Sequence, residues 1–199
     1  MDERPIDVSV VMLGLDANAR REIQDAMDAI ASSGDTASPA GLVQMLREAI
    51  AVLLGRRDAW THAAAENHAP MPPEDAEAKF GLAAHRARAR FEHELVRAHA
   101  GEVARPKAPP LPPQPDVPGV VVVTLVVAAR RVLRDVVDVR DRAALQLALD
   151  ALAAIDPGDF VAMEVIWSPA DPRERVPVET LEANHPELVR LPLETEGRA

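Results

Sequence analysis

Histidine, carboxylate and arginine side chains are where this sequence could do chemistry, and their spacing limits what that chemistry is. The six histidines are His62, His68, His85, His93, His99 and His185. A metal site needs several ligands converging on one point. His85, His93 and His99 are separated by eight and six residues, spacings that do not align them on one helical face. The histidines are therefore expected as exposed or capping residues. No metal and no other cofactor is expected. Glu164 is the one acidic residue inside the apolar run Phe160–Trp167. Burying a lone carboxylate is costly, so Glu164 is expected to be paired, exposed at an edge, or functional. Arg130 and Arg131, which end the preceding apolar run, are the expected partners. No Ser–His pair or second carboxylate is placed to complete a catalytic set. Phosphate loops, dinucleotide-binding glycine turns, nucleophile elbows and HExxH helices are all absent from the sequence.

The strongest pattern is cationic. Lys79, Arg86, Arg90, His93 and Arg97 recur at spacings that keep them on one side of a helix. The net charge of the chain is −10, so a local basic strip stands out against it. Such a strip suits an acidic protein partner, a second copy of the chain through its acidic N-terminal region, or peripheral contact with an anionic membrane surface. The same net charge repels phosphate backbones, and nucleic acid is not an expected partner. Lys107 to Pro113 also matches the basic-xxPxxP pattern that aromatic-lined grooves read, but a proline-rich linker matches it as readily.

These side chains must be carried by elements that the hydrophobic pattern can locate. Ile6, Val8, Val10 and Met12 alternate, which predicts a strand with one buried face. Asp16 offers an N-cap, and Ile23, Met27 and Ile30 then recur at helical spacing as far as Ser33-Gly34. Ser38-Pro39 is a hydroxyl cap followed by proline at the first helical position, and Leu42 to Leu54 carries a broad apolar stripe. A short helix containing Trp60 is expected next, broken by Pro70, Pro72 and Pro73. A long helix then runs over Glu74–Ala98, its core face formed by Ala76, Phe80, Ala84, Ala87, Phe91 and Leu95. Arg105–Pro118 holds seven prolines and reads as an extended connector.

Val120–Ala128 is apolar on both faces except at Thr124, which predicts an interior strand. Leu145, Leu149 and Leu152 mark another helix, Phe160–Trp167 a third strand, and Glu179–Ala183 a short final helix. The last strand–helix–strand unit is long enough for a parallel right-handed crossover. The pattern predicts a single α+β domain over residues 1–199. It is expected to hold a small mixed sheet of at least three strands, with helices packed mainly on one side, and the connector at 105–118.

Composition narrows the class further. Aromatic residues are 3% of the chain, so alanine, valine and leucine must fill the core, and an aromatic-lined ligand cleft is not expected. The absence of cysteine removes disulfides, thiolate metal sites and cysteine nucleophiles. The acidic, polar N-terminus has no signal-peptide design, and Val120–Ala129 is about half the ~20 residues a spanning helix needs. A soluble, cytoplasmic protein is expected.

Several blocks in order carry a resemblance. They are Asp35–Leu42 (DTASPAGL) with Ala51–Trp60 (AVLLGRRDAW), Ala76–Phe91 (AEAKFGLAAHRARARF), Val121–Ala129 (VVVTLVVAA), and Ala162–Pro169 (AMEVIWSP) with Glu179–Leu188 (ETLEANHPEL). Together they resemble the domain-of-unknown-function family "fifteen-seventeen", typical of cyanobacteria and chloroplasts. The resemblance implies a domain covering nearly the whole chain and brings no agreed catalytic residues. Thylakoid association goes with a Gly/Ser-rich stretch and a hydrophobic anchor in many members, and these residues include neither. The sequence thus points to a non-enzymatic interaction or scaffold module. The alternative is a small-ligand sensor or enzyme using Glu164 with a histidine or arginine.

Overall fold

A computed structural model of the chain describes residues 4–89, 119–169 and 174–192. Five strands form one sheet: β1 Ile6–Asp16, β2 Trp60–Met71, β3 Val120–Ala129, β4 Phe160–Ser168 and β5 Val189–Arg190, in the order β4-β3-β1-β2-β5. Among the described residues five helices accompany it: α1 Arg20–Ser33, α2 Pro39–Gly55, α3 Pro73–Ala89, α4 Arg142–Ala153 and α5 Val178–Asn184. The fold is α+β. The Ser38 cap lies where the sequence placed it, and Asp141 is a further cap. Ser38 accepts from the Gly41 amide at 3.0 Å and opens α2 at Pro39, and Asp141 accepts from the Ala144 amide at 2.8 Å and opens α4. Asp16 accepts from the Asn18 amide at 2.8 Å and opens a 3-10 turn, Ala17–Ala19, that leads into α1.

Every strand pair is antiparallel, so the sheet is not mixed. The expected parallel crossover between β3 and β4 is corrected by its ends. Ala129 pairs with Phe160, and the Arg130 amide donates to the Asp159 carbonyl at 2.7 Å. The intervening residues therefore leave and return at the same end of the sheet. Their number fitted either connection, and only this closure decides between them.

Helices cover both faces of the sheet, unevenly. Three of them, α1, α2 and α4, pack on one face over Leu13, Leu15, Val123 and Leu125. The other face, with Val8, Val10, Met12 and Val126, carries α3 and α5. β3 lies between β1 and β4 with all ten residues buried, as its two apolar faces predicted. β1 is also interior, and both its faces are buried rather than one. Its polar positions sit within the core because they satisfy each other: Ser9 Oγ donates to Asp7 Oδ1 at 3.0 Å, and Asn67 Nδ2 donates to the same oxygen at 2.6 Å.

Trp60 does not begin a helix. A 3-10 turn, Arg57–Ala59, delivers the chain into the twelve-residue strand β2, and the fully buried Trp60 indole donates to the Leu53 carbonyl at 3.0 Å. Alanine-rich sequence carries no strand signature of its own, and here pairing with β1 decides. Pro70 is tolerated because it falls at the register shift between Ile6 and Val8.

Candidate functional site

The strand register fixes which side chains share the face beneath α3. Glu66, Val10, Val126 and Glu164 form one row across β2, β1, β3 and β4, and Ala64, Met12, Thr124 and Ile166 form the next. α3 crosses this face on small residues. Ala76, Ala84 and Ala87 are buried, with Phe80 packed beside them, as the helical period predicted. Ser168 Oγ donates to the Ala87 carbonyl at 2.9 Å and pins the helix over β4. Phe91 and Leu95 of the expected stripe lie outside the described residues.

Between α3 and the sheet is a cavity of about 50 Å³. Lys79, Leu82, Ala83 and Arg86, one helical side, line it from above, with Ala87 beside them. Val10, Met12, Glu66, His68 and Thr124 line it from the sheet. Two residues of the expected basic strip, Lys79 and Arg86, are thus brought together over the sheet, half-buried and exposed respectively. Neither forms an ion pair or side-chain hydrogen bond among the described residues. Arg90, His93 and Arg97, the rest of the strip, lie outside the described residues. So do Arg105–Pro118 and the basic-xxPxxP segment within them.

Glu164 is paired, but not with Arg130 or Arg131. Arg88 of α3 donates to its Oε1 at 2.7 Å, because Glu164 projects to the α3 face from the middle of β4. The other oxygen, Oε2, is buried without a hydrogen-bond partner. The Arg130 amide closes the β3–β4 connection, and Arg131 donates to the Ala154 carbonyl at 2.8 Å. The Arg88 side chain is half exposed, so the pair contributes little to stability, under about 1 kcal/mol.

Sequence reasoning missed Thr124, Glu66 and His68 as cavity residues. Thr124 registered there only as an interruption of an apolar strand. Glu66 and His68 fell in the segment read as helix. The spacing Ala64, Glu66, His68 was their one signal, since alternate strand residues share a face.

The histidines are dispersed. His68 Nε2 lies 3.1 Å from Glu66 Oε1, and His185 Nδ1 lies 3.6 Å from Glu187 Oε1. His85 is exposed on α3, and His93 and His99 lie outside the described residues. His62 is buried under α5, its Nδ1 3.0 Å from Thr61 Oγ1 and its Nε2 3.3 Å from Glu182 Oε1. Gly14 makes room for it across the β1–β2 pair: a Cβ there would stand 2.9 Å from His62 Cβ. Among the described residues no group of three His, Asp or Glu side chains is placed to hold a metal ion.

Burial pushes the His62 ring below its ordinary value; Glu182 opposes that shift and Arg190 adds to it. The unfolded chain then binds the proton more readily, at about pH 6.5. Stability is expected to be retained above that pH and to fall as the pH drops from there through the folded ring's lower value. Denaturant melts from pH 7.5 to 5 check this. The loss should be smaller in His62→Gln than in wild type, and equal losses in both would assign the effect to other groups.

A second concavity lies at the sheet edge. β5 pairs with only His62 and Ala63 of β2, so from Ala64 to Met71 the outer side of β2 meets no strand among the described residues. A groove of about 460 Å³ follows this edge, lined by Ala64, Ala65 and Glu66 with Met12, Asp138, Val139, Arg140, Glu187 and Val189. Asp138 adopts φ 56°, a left-handed conformation that aspartate tolerates better than most residues. Arg140 Nη2 holds its carboxylate at 3.1 Å.

Among the described residues no helix is long and apolar enough to cross a membrane. No curated protein and no solved structure matches the chain. One family model does match, described as "Protein of unknown function (DUF1517)", over residues 5–191. That span takes in all five strands and all five helices, so the chain belongs to the DUF1517 family.

Proposed function

We propose that the chain is a non-enzymatic protein-interaction module that takes an extended, acidic segment of a partner along the open side of β2, beneath the lip made by α3. One observation carries this reading: Lys79 and Arg86, without counter-ions among the described residues, line one cavity with Glu66 and His68, which belong to the stretch of β2 that no strand covers. An unpaired strand edge offers a row of amide and carbonyl groups, and an added strand satisfies them. The cations select what docks. In a chain of net charge −10, two uncompensated positive charges at one place attract an acidic segment and raise its encounter rate. Glu66, Asp138 and Glu187 flank the Ala64 end of the groove, so the acidic residues of the segment belong at the His68 end.

An array of ten-residue extended peptides of graded Asp/Glu content tests the reading. Binding should increase with acidic content and weaken with salt, because screening shortens the reach of charge to about 8 Å at physiological ionic strength. The variant carrying Lys79→Glu and Arg86→Glu should bind acidic peptides at least ~10-fold more weakly, since two charges are reversed. Equal binding by variant and wild type across the salt series would show that the lip is only a solvated helix flank.

A further inference from the structure

We infer that the cavity under α3 is a subsite for a single oxyanion, a carboxylate or a phosphate group, with the Thr124 hydroxyl at its base. This rests on the docking reading only in sharing Lys79 and Arg86, and it names the group that the lip receives.

The first observation is a mismatch within β3. That strand reads VVVVTLVVAA and is buried throughout. Its one polar side chain is Thr124, 2% exposed, and it lines the cavity. No side-chain hydrogen bond engages its hydroxyl among the described residues, and the oxygen is not among their fully enclosed unpaired atoms, so it is reached from the cavity. A valine would fill the same volume with no polar atom, so the threonine hydroxyl offers a hydrogen bond to whatever enters the cavity.

The second observation is charge. Lys79 and Arg86 reach the same cavity, and neither meets a carboxylate among the described residues. The one carboxylate lining it belongs to Glu66, whose Oε1 is held by His68 Nε2 at 3.1 Å. Glu66 shares the cavity with the imidazole, and its one negative charge is outnumbered there by two cations. A planar guanidinium, an ammonium and a hydroxyl are the donors that oxyanions require.

Size sets the limit. About 50 Å³ holds the equivalent of one or two waters at about 30 Å³ each, room for one carboxylate or phosphate group inside the cavity. Val10, Met12 and Ala87 form the apolar part of the lining, beside the polar groups of Glu66, His68, Lys79, Arg86 and Thr124.

The test uses the full chain with four probes at matched ionic strength: inorganic phosphate, acetate, an acidic ten-residue peptide, and chloride as the reference. Thermal melts and amide chemical shifts are read for wild type, Thr124→Val and the Lys79→Gln, Arg86→Gln pair. Phosphate or acetate should raise the wild-type melting temperature above the chloride reference and shift the Thr124 amide. Both variants should bind the anion at least tenfold more weakly. Thr124→Val should melt no lower than wild type without anion, because valine fills the same volume and suits an interior strand, so its lost binding cannot be misfolding. A response to the peptide alone, lost in Thr124→Val, assigns the oxyanion to a side chain of the docked segment. A response to phosphate or acetate assigns it to a small anion as well. The inference is overturned if Thr124→Val responds to every probe as wild type does, which would leave the cavity to water. If the peptide still binds through Lys79 and Arg86 in that case, docking stands and the subsite alone falls.

Discussion

Arg142→Met is expected to lower the unfolding free energy by about 3 kcal/mol, from the loss of hydrogen bonds to a charged group worth about 1.5–3 kcal/mol each. Arg142 is the first residue of α4, where a cation opposes the helix dipole by about 0.3–1 kcal/mol. Three carbonyls outweigh that penalty. Its guanidinium donates to the Trp60 carbonyl at 2.8 Å, to the Pro192 carbonyl at 3.0 Å, and to the Arg57 carbonyl. These acceptors lie at the start of β2, just past β5, and in the turn that follows α2, so one buried side chain ties α4 to three other places in the chain. Methionine keeps the aliphatic stem and supplies no donor, so all three charge-assisted bonds are lost, although the Arg57 carbonyl keeps the Trp60 amide as a donor. Urea melts give the free energy, and amide exchange at Val189 and Leu191 should speed up as β5 loses its anchor. A loss below about 1 kcal/mol would mean that water replaces the guanidinium at little cost.

Asp7→Ala is expected to cost a similar amount, about 3 kcal/mol, since each buried donor left unmet costs about 1–3 kcal/mol. The Asp7 carboxylate is fully buried and accepts from Ser9 Oγ, Asn67 Nδ2 and, through Oδ2 at 3.2 Å, the Leu133 amide. Asn67 Nδ2 also reaches Ser9 Oγ at 2.9 Å, so the group is a closed network joining β1, β2 and the segment after β3. Alanine removes the shared acceptor. Asp7→Asn keeps one acceptor oxygen and should lose less than alanine does. Amide exchange at Leu133 reads the local effect directly. If Leu133 stays as protected in Asp7→Ala as in wild type, the network does not hold that segment.

These two networks also mark where the sequence is opaque. β3 was legible because both its faces are apolar, and α2 because its cap and stripe agree. β1 was legible as a strand but not as an interior one. Asp7 and Ser9 look like solvent positions until Asn67, some sixty residues away, is placed beside them. β2 was not legible at all. Ala63, Ala64 and Ala65 favour a helix when nothing else is known, and only β1 makes them a strand. The direction of β4 was hidden for the same reason, since the Arg130–Asp159 closure is tertiary. At the candidate site, Lys79 and Arg86 could be grouped from helical spacing, which is local. Thr124, Glu66 and His68 join them through strand register, which is not. Glu164 was expected to be paired, exposed at an edge, or functional, and a pair is what it forms. Its partner was sought on β3 because that strand is near in sequence, whereas Arg88 reaches it by packing.

The central place of β1 has a consequence in time. It is the first strand of this sequence to be synthesised, and it needs a partner on each side. β2 follows only after two helices, and β3 about a hundred residues after β1 ends. At a synthesis rate of roughly 5–20 residues per second, β1 waits about 5–20 seconds for its second neighbour. Through that interval Val8 to Leu15, among the most apolar residues of the chain, present an open edge on a nascent polypeptide. The order in which the strands are made thus sets how long β1 stays without its second neighbour, a cost that the stability of the finished sheet does not reveal.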